Sequence, residues 1–144
     1  MGGSRPCRIG HDHQNRNDYG VLNAILTKSC GNGERGCRGD GGPATEAAVN
    51  MPHELRFDRS ENLYIDERDN HVIRRVDART GIISTVAGTG VAGFSGDEGP
   101  GKRATLRQPH SIVFDREGAL LICDLGNNRI RRLDLATGLI SRPS

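Results

Sequence analysis

The residues of this chain best suited by type and spacing to do chemistry are His53 and His110. Each follows a proline and opens a short run of alternating apolar residues, and the two stand 57 positions apart. Neutral imidazoles converging on one channel could hold a transition metal. With only two rings and no carboxylate accompanying both, Pro-His reads better as the end of a loop. His53 and His110 are therefore weak metal candidates, and no metal or cofactor is expected.

A second set is acidic. Asp58, Asp77, Asp115 and Asp134 each precede a turn, while Glu67 with Asn70, and Asp124 with Asn127, span another. Side chains of this kind accept backbone N–H bonds within turns. A catalytic residue is needed once, whereas a turn is needed in every structural unit, so these are read as structural turn residues. No catalytic residue is assigned. A third set is basic: Arg74-Arg75 and Arg131-Arg132 lie on strand-like runs where neighbours face opposite sides. They form the candidate interaction face, with one of each pair expected in solvent and the other paired with an acid where sheets meet. The glycine-rich stretch 88–101 lacks Gly-Lys-Ser/Thr and is not a phosphate loop.

The elements that would position these residues repeat. Gly39-Asp40-Gly41-Gly42-Pro43 returns as Gly96-Asp97-Glu98-Gly99-Pro100, and Phe57-Asp58-Arg59 as Phe114-Asp115-Arg116. Residues 24–87 laid over 81–144 without a gap give 25 identities in 64 positions, so one structural unit is used more than once. Within the unit, runs at 53–57, 63–66, 71–77 and 82–87 alternate or are β-branched, and short polar turns separate them. In the copy, 111–114, 120–123 and 129–134 do the same. This predicts an antiparallel four-stranded meander. Only 44–50 and 101–107 look helical, for one or two turns. Leu55, Phe57, Leu63, Ile65, Ile73, Ile112, Phe114, Ile122 and Ile130 are expected to be buried. A lone meander has two partly apolar faces, and stacking repeats as the blades of a β-propeller covers them.

Composition agrees with a repeat rather than a self-contained core. In 144 residues hydrophobic types make up 34% and aromatics 3%, there is no Trp, and Gly numbers 20. The charge of +2 comes from 20 basic and 18 acidic residues, well mixed, which gives no argument for nucleic acid or a membrane surface. No apolar run approaches the ~20 residues of a membrane span, and nothing points to a compartment. Cys7, Cys30, Cys37 and Cys123 fall outside the repeating framework. Cys30 and Cys37 could pair across a glycine-rich loop, but idle thiols are the simpler expectation.

These motifs resemble the NHL-repeat family. The resemblance rests on Gly-Asp-Gly-Gly-Pro-Ala-Thr (39–45) and on Pro-His-x-Leu/Ile-x-Phe-Asp (52–58 and 109–115). It rests also on the run 63–77 with its copy 120–134, and on the connector 80–90. It implies an all-β fold of four-stranded antiparallel blades in a six-bladed propeller, of which this chain supplies about 2–2.5 blades. The expected organisation is a degenerate or disordered segment 1–23, then a last strand and connector of a preceding blade at 24–38. A blade at 39–95 and a truncated second blade at 96–144 follow.

The function expected is a non-catalytic scaffold binding a protein or small ligand on a propeller face. The alternatives are part of a metal-dependent lactonase or lyase, or an RNA-binding face. The chain reads as a piece of a longer protein. The other reading is a homotrimer closing a six-bladed ring, in which the orphan strand 25–30 completes a neighbour's last blade.

Overall fold

The computed structural model describes residues 36–143; the segment 1–23, the strand expected at 25–30 and Cys30 lie outside the described residues. The described residues form nine β-strands: β1 (Pro52–Phe57), β2 (Leu63–Glu67), β3 (Val72–Val76), β4 (Ile83–Ala87), β5 (Gly99–Pro100), β6 (Ser111–Phe114), β7 (Leu120–Asp124), β8 (Arg129–Leu133) and β9 (Leu139–Ser141). They make two antiparallel sheets, ordered β1-β2-β3-β4 and β5-β9-β8-β7-β6. Four single 3-10 turns punctuate the described residues, two of them, Ala44–Glu46 and Gly101–Arg103, inside the stretches that look helical in sequence. These are two adjacent blades of a β-propeller.

The turn chemistry explains the hairpins. At the β1–β2 turn the Asp58 carboxylate accepts the N–H groups of Ser60 and Asn62, both at 2.9 Å. The copy repeats this with Asp115 and the N–H groups of Glu117 and Ala119. Asp77 and Asp134 cap the β3–β4 and β8–β9 turns in the same manner, through Arg79 and Thr80, and through Ala136 and Thr137. Those backbone bonds hold both carboxyls below their ordinary range.

The second blade differs from expectation at its outer edge. The sequence predicts a truncated second blade, yet Leu139–Ser141, just before Arg142-Pro143, forms a fourth strand paired with β8. Proline is harmless there because it lies just beyond the ladder. The repeated Gly-Asp-x-Gly-Pro segment then adds a fifth, two-residue strand, with Gly99 opposite Ile140. In the first blade the same segment makes an isolated bridge, Pro43 opposite Ile82. Blade two therefore supplies its own outer strand and needs none from a neighbour. The glycine that starts this segment is required sterically. Gly39 and Gly96 have φ of +98° and +92°, and a Cβ would come within 2.8 Å and 2.6 Å of the Cα atoms of Ala47 and Ala104.

Two apolar clusters form the core. In the first, Leu55, Leu63, Ile65, Val76 and Ile83 pack under Ala44 and Ala47 of their own connector. In the second, Ile112, Leu120, Ile122, Leu133 and Ile140 pack under Ala104 and Leu106, and Tyr64, Ile73 and Ala87 of the first blade join them. The second cluster is thus the blade–blade interface. Tyr64 and Phe114 meet there edge to face, with ring centroids 5.3 Å apart.

Two residues expected to be buried are not. Phe57 is 40% exposed and Ile130 47%, and Phe114 is only half-buried. Ile73, the counterpart of Ile130, is fully buried because the second blade covers it. Ile130 has the same strand position and residue type, but no described residue covers its face. Each apolar side chain of this size that leaves water contributes about 1.5–3 kcal/mol, so the two equivalent isoleucines differ in energetic role by about that amount.

Candidate functional site

The antiparallel order places five features at one end of the blades: the starts of β1 and β6, the β2–β3 and β7–β8 turns, and the connector leaving β4. Pro52 pairs with Glu67, Glu67 with Val72, and Ile73 with Ala87, which brings those termini together. This connector end carries the residues with chemical potential.

His53 sits in a β-bulge, since the register passes from Pro52–Glu67 to Glu54–Asp66 with His53 left over. Such a bulge re-aims a side chain. It brings the His53 ring to 4.0 Å from that of His110, centroid to centroid, tilted by 48°. The sequence-predicted pair is therefore in contact. Among the described residues, however, no group of three or more His, Cys, Asp or Glu is arranged to hold a metal. Replacing both rings by alanine is expected to leave the fold standing, with a thermal midpoint shifted by no more than a few degrees. Stoichiometric zinc or calcium in the purified protein that vanishes from the double variant would overturn the structural reading.

Neighbouring contacts at this end belong to the interface between blades. The Glu54 carboxylate accepts the Ile112 N–H at 2.7 Å and pairs with Arg56. His71 accepts the Gln108 N–H on Nδ1 at 3.0 Å. Asp66, cross-strand from Glu54, is fully buried, and neither of its carboxylate oxygens has a partner among the described residues. Burial, with Glu54 and Glu67 adding repulsion, pushes its carboxyl up to about 8. It is a neutral acid at pH 7. The second copy has Cys123 at this position.

The arginines divide within each pair. Arg74 and Arg131 are fully buried, which removes both from the candidate interaction face. The physical reason is that each guanidinium is consumed in tying the connector to the blade. Arg131 donates to Asp97 at 2.9 Å, Ser95 O at 2.8 Å, Thr105 O at 3.2 Å and Asp124 at 3.2 Å. Arg74 repeats this with Asp40 at 2.8 Å, Arg38 O at 3.1 Å and Ala48 O at 2.7 Å. A planar fork of five donors suits such a node better than an ammonium would. Arg75 and Arg132 stay half-buried and pair with Asp77, and with Asp115 and Glu117.

Glu67 and Asp124 differ from the simple turn role assigned by sequence. Both are fully buried. Asp124 accepts the Arg107 N–H at 2.7 Å, the Asn127 amide at 2.8 Å and Arg131. Asn127 also donates to Gly93 O, as Asn70 does to Gly36 O. Glu67 is the poorer member, lying 3.6 Å from Arg74 with one oxygen unpartnered. Burial raises its carboxyl to about 7, although Arg74 pulls the other way. The partners Asp40 and Asp97 go unassigned when the sequence alone is read. Their exact repetition alongside Arg74 and Arg131 is the signal that could have found them. Cys37 and Cys123 are free thiols.

Most of the repeating polar residues are thus used up inside the fold, His53 staying exposed, and the large apolar side chains exposed at the connector end do not repeat. Met51, Val91, Phe94 and Leu125 are all exposed there, and the Arg129 guanidinium lies 4.2 Å from the Phe94 centroid. Their counterparts are Gln108 for Met51, Cys37 for Phe94 and Arg68 for Leu125.

This is the architecture of a repeat protein whose blades carry connecting loops on one face. The model of the NHL repeat matches residues 106–133, and this chain belongs to the NHL-repeat family. It is 32% identical over 97 residues to Protein SUPPRESSOR OF QUENCHING 1, chloroplastic, of Arabidopsis thaliana, a match spanning 67% of this chain and 9% of that protein. It is 31% identical over 106 residues to human NHL repeat-containing protein 2, covering 69% of this chain and 14% of the relative. The chain therefore spans about a tenth of the length of these relatives. Among solved structures, an auxiliary nutrient binding protein from Bacteroides thetaiotaomicron superposes with a TM-score of 0.59 at 26% identity, over 72% of this chain and 27% of that one.

Proposed function

We propose that these blades act as a non-catalytic scaffold that binds a partner protein or small ligand at the connector end. One observation carries the reading. The repeated acids and arginines serve turns and the arginine nodes, whereas the large apolar residues exposed at this end are non-repeating and mounted on loops. Loops held by a rigid sheet are where binding residues concentrate, and Phe94 with the Arg129 guanidinium over its ring is of the type that anchors an interface. The structural neighbour described as a nutrient binding protein is consistent with this use of the fold.

The test compares wild-type chain with Phe94→Asp and Leu125→Asp as immobilised bait. A partner retained by the wild type and lost at least tenfold in either variant, with unchanged circular dichroism, supports the scaffold. Turnover of an ester or lactone panel that depends on bound metal and on His53 and His110 would sink it in favour of a propeller enzyme.

A further inference from the structure

The connector from β4 to β6 lies between the two blades and packs on both. The Gly101 carbonyl accepts the Gly88 N–H just past β4, and the Gly101 N–H donates to Gly138 O in the β8–β9 turn. A Cβ on Gly101 would lie 2.6 Å from Val86 O of the first blade and 2.7 Å from Leu133 Cδ1 of the second. The connector that precedes β1 follows the same path. Pro43 and Pro100 enter their 3-10 turns at φ −62° and −61°, and Ala47 and Ala104 leave them at −77° and −75°.

The charge on this shared path is not shared. Residues 44–51 carry Glu46 alone, a charge of −1, whereas 101–108 carry Lys102, Arg103 and Arg107, a charge of +3. These three stand where the first connector has Thr45, Glu46 and Asn50. All three are exposed, and none makes an ion pair with a described residue. The fold needs no base there, because the first connector holds the same backbone without one. A linked exchange stands beside Arg107. Asp69 of the β2–β3 turn becomes Gly126 in the copy, whose N–H donates to Arg107 O at 2.8 Å. A Cβ at 126 would fall 2.4 Å from Arg107 Cγ, so glycine both removes an acid and lets the arginine stem lie on the turn.

We propose, on the basis of the scaffold reading, that this basic stripe receives an acidic polypeptide segment of the partner. Lys102 and Arg107 are five residues apart, at most ~18 Å along the chain, a span that an extended segment of about six residues covers. Phe94 lies beside the stripe, since Gly93 donates its N–H to Leu106 O and Ser95 pairs with Thr105. Exposed charges of this kind act mainly on the rate of encounter, and salt screens them. Nucleic acid is the poorer fit. Its unpaired bases stack on aromatic faces, and the one aromatic residue of 88–108, Phe94, has the Arg129 guanidinium 4.2 Å over its ring.

Fluorescence anisotropy on the full chain tests this with a labelled peptide of about six glutamates flanked by leucine. Wild type is expected to bind it, with an affinity that falls about tenfold between about 50 and about 300 mM salt. The variant Lys102→Thr, Arg103→Glu, Arg107→Asn gives the second connector the residues of the first, which suit that backbone. It is expected to lose about tenfold or more at low salt, with unchanged circular dichroism. Arg107→Asn alone, at an exposed side chain, is expected to lose about threefold and keeps the test should the triple variant fold poorly. Arg59→Glu with Arg116→Glu shifts the charge by the same amount at the β1–β2 and β6–β7 turns, where both arginines are exposed, and should bind as wild type does. A wild type that does not bind the peptide overturns the inference. If a partner is still captured through Phe94 and Leu125, the scaffold reading then stands without it. An equal loss in the Arg59 and Arg116 variant shows net charge alone at work and overturns it too. So does a single-stranded RNA of equal charge that binds more tightly than the peptide.

Discussion

Arg131→Ala is expected to lower unfolding stability by about 3–5 kcal/mol, the cost of breaking a buried ion pair by removing one partner. The loss has two parts. Four acceptors, the carboxylates of Asp97 and Asp124 and the carbonyls of Ser95 and Thr105, lose a donor. Asp124 is fully buried and is left with an uncompensated charge. Arg131→Lys should recover less than half, because one ammonium cannot reach acceptors arrayed around a planar fork. Urea denaturation followed by circular dichroism measures both variants. Because the node joins residues of the connector to β7 and β8, the unfolding is expected to be cooperative for the blade. A loss below about 1 kcal/mol would show that the node is a surface-like pair of little consequence.

Asp66→Asn and Asp66→Cys are expected to stabilise the protein, and only at higher pH. The folded carboxyl titrates at about 8 against an ordinary 3.8. In the unfolded chain it is therefore ionised above about pH 4, while in the folded chain it keeps its proton to about 8. Folding takes up a proton across that window, so stability falls as pH rises from about 4 to about 8 and is level above it. One unit of displacement corresponds to about 1.4 kcal/mol, and half the displacement already amounts to about 3 kcal/mol. Glu67, raised to about 7, contributes in the same direction. Denaturation midpoints of wild type and variants should agree near pH 4 and separate by pH 8, with the variants higher. Cysteine is the informative choice because the second copy uses it there. Wild-type stability that rises between pH 5 and 8, or variants that are weaker at pH 8, would contradict the buried neutral acid.

The hairpins were legible because their determinants are local. Strand alternation and an Asp at the head of each turn act within about six residues, and the repeat doubles every signal. Seven of the nine strands follow from this alone, with limits within one residue of those observed. The candidate site was legible only in outline. His53 and His110 could be paired on paper, but their contact depends on a bulge and on the spacing of two blades. Glu67 and Asp124 read as turn residues because their spacing to Asn70 and Asn127 is local, whereas their arginine partners lie on the next strand.

The sequence by itself therefore determined the period of 57, the order of strands and turns and the all-β class, since each rests on short-range pattern and on its repetition. Only the tertiary structure decided environment. Ile73 and Ile130 are the same residue at the same position of the unit, one sealed and the other open, because burial is set by what packs against a face. Arg74 and Arg131 moved from surface to core because the connector folds back over the blade and brings Asp40 and Asp97 to them. Asp66 became a neutral acid for a related reason: the second blade closes over a carboxyl whose charge, in water, would cost nothing.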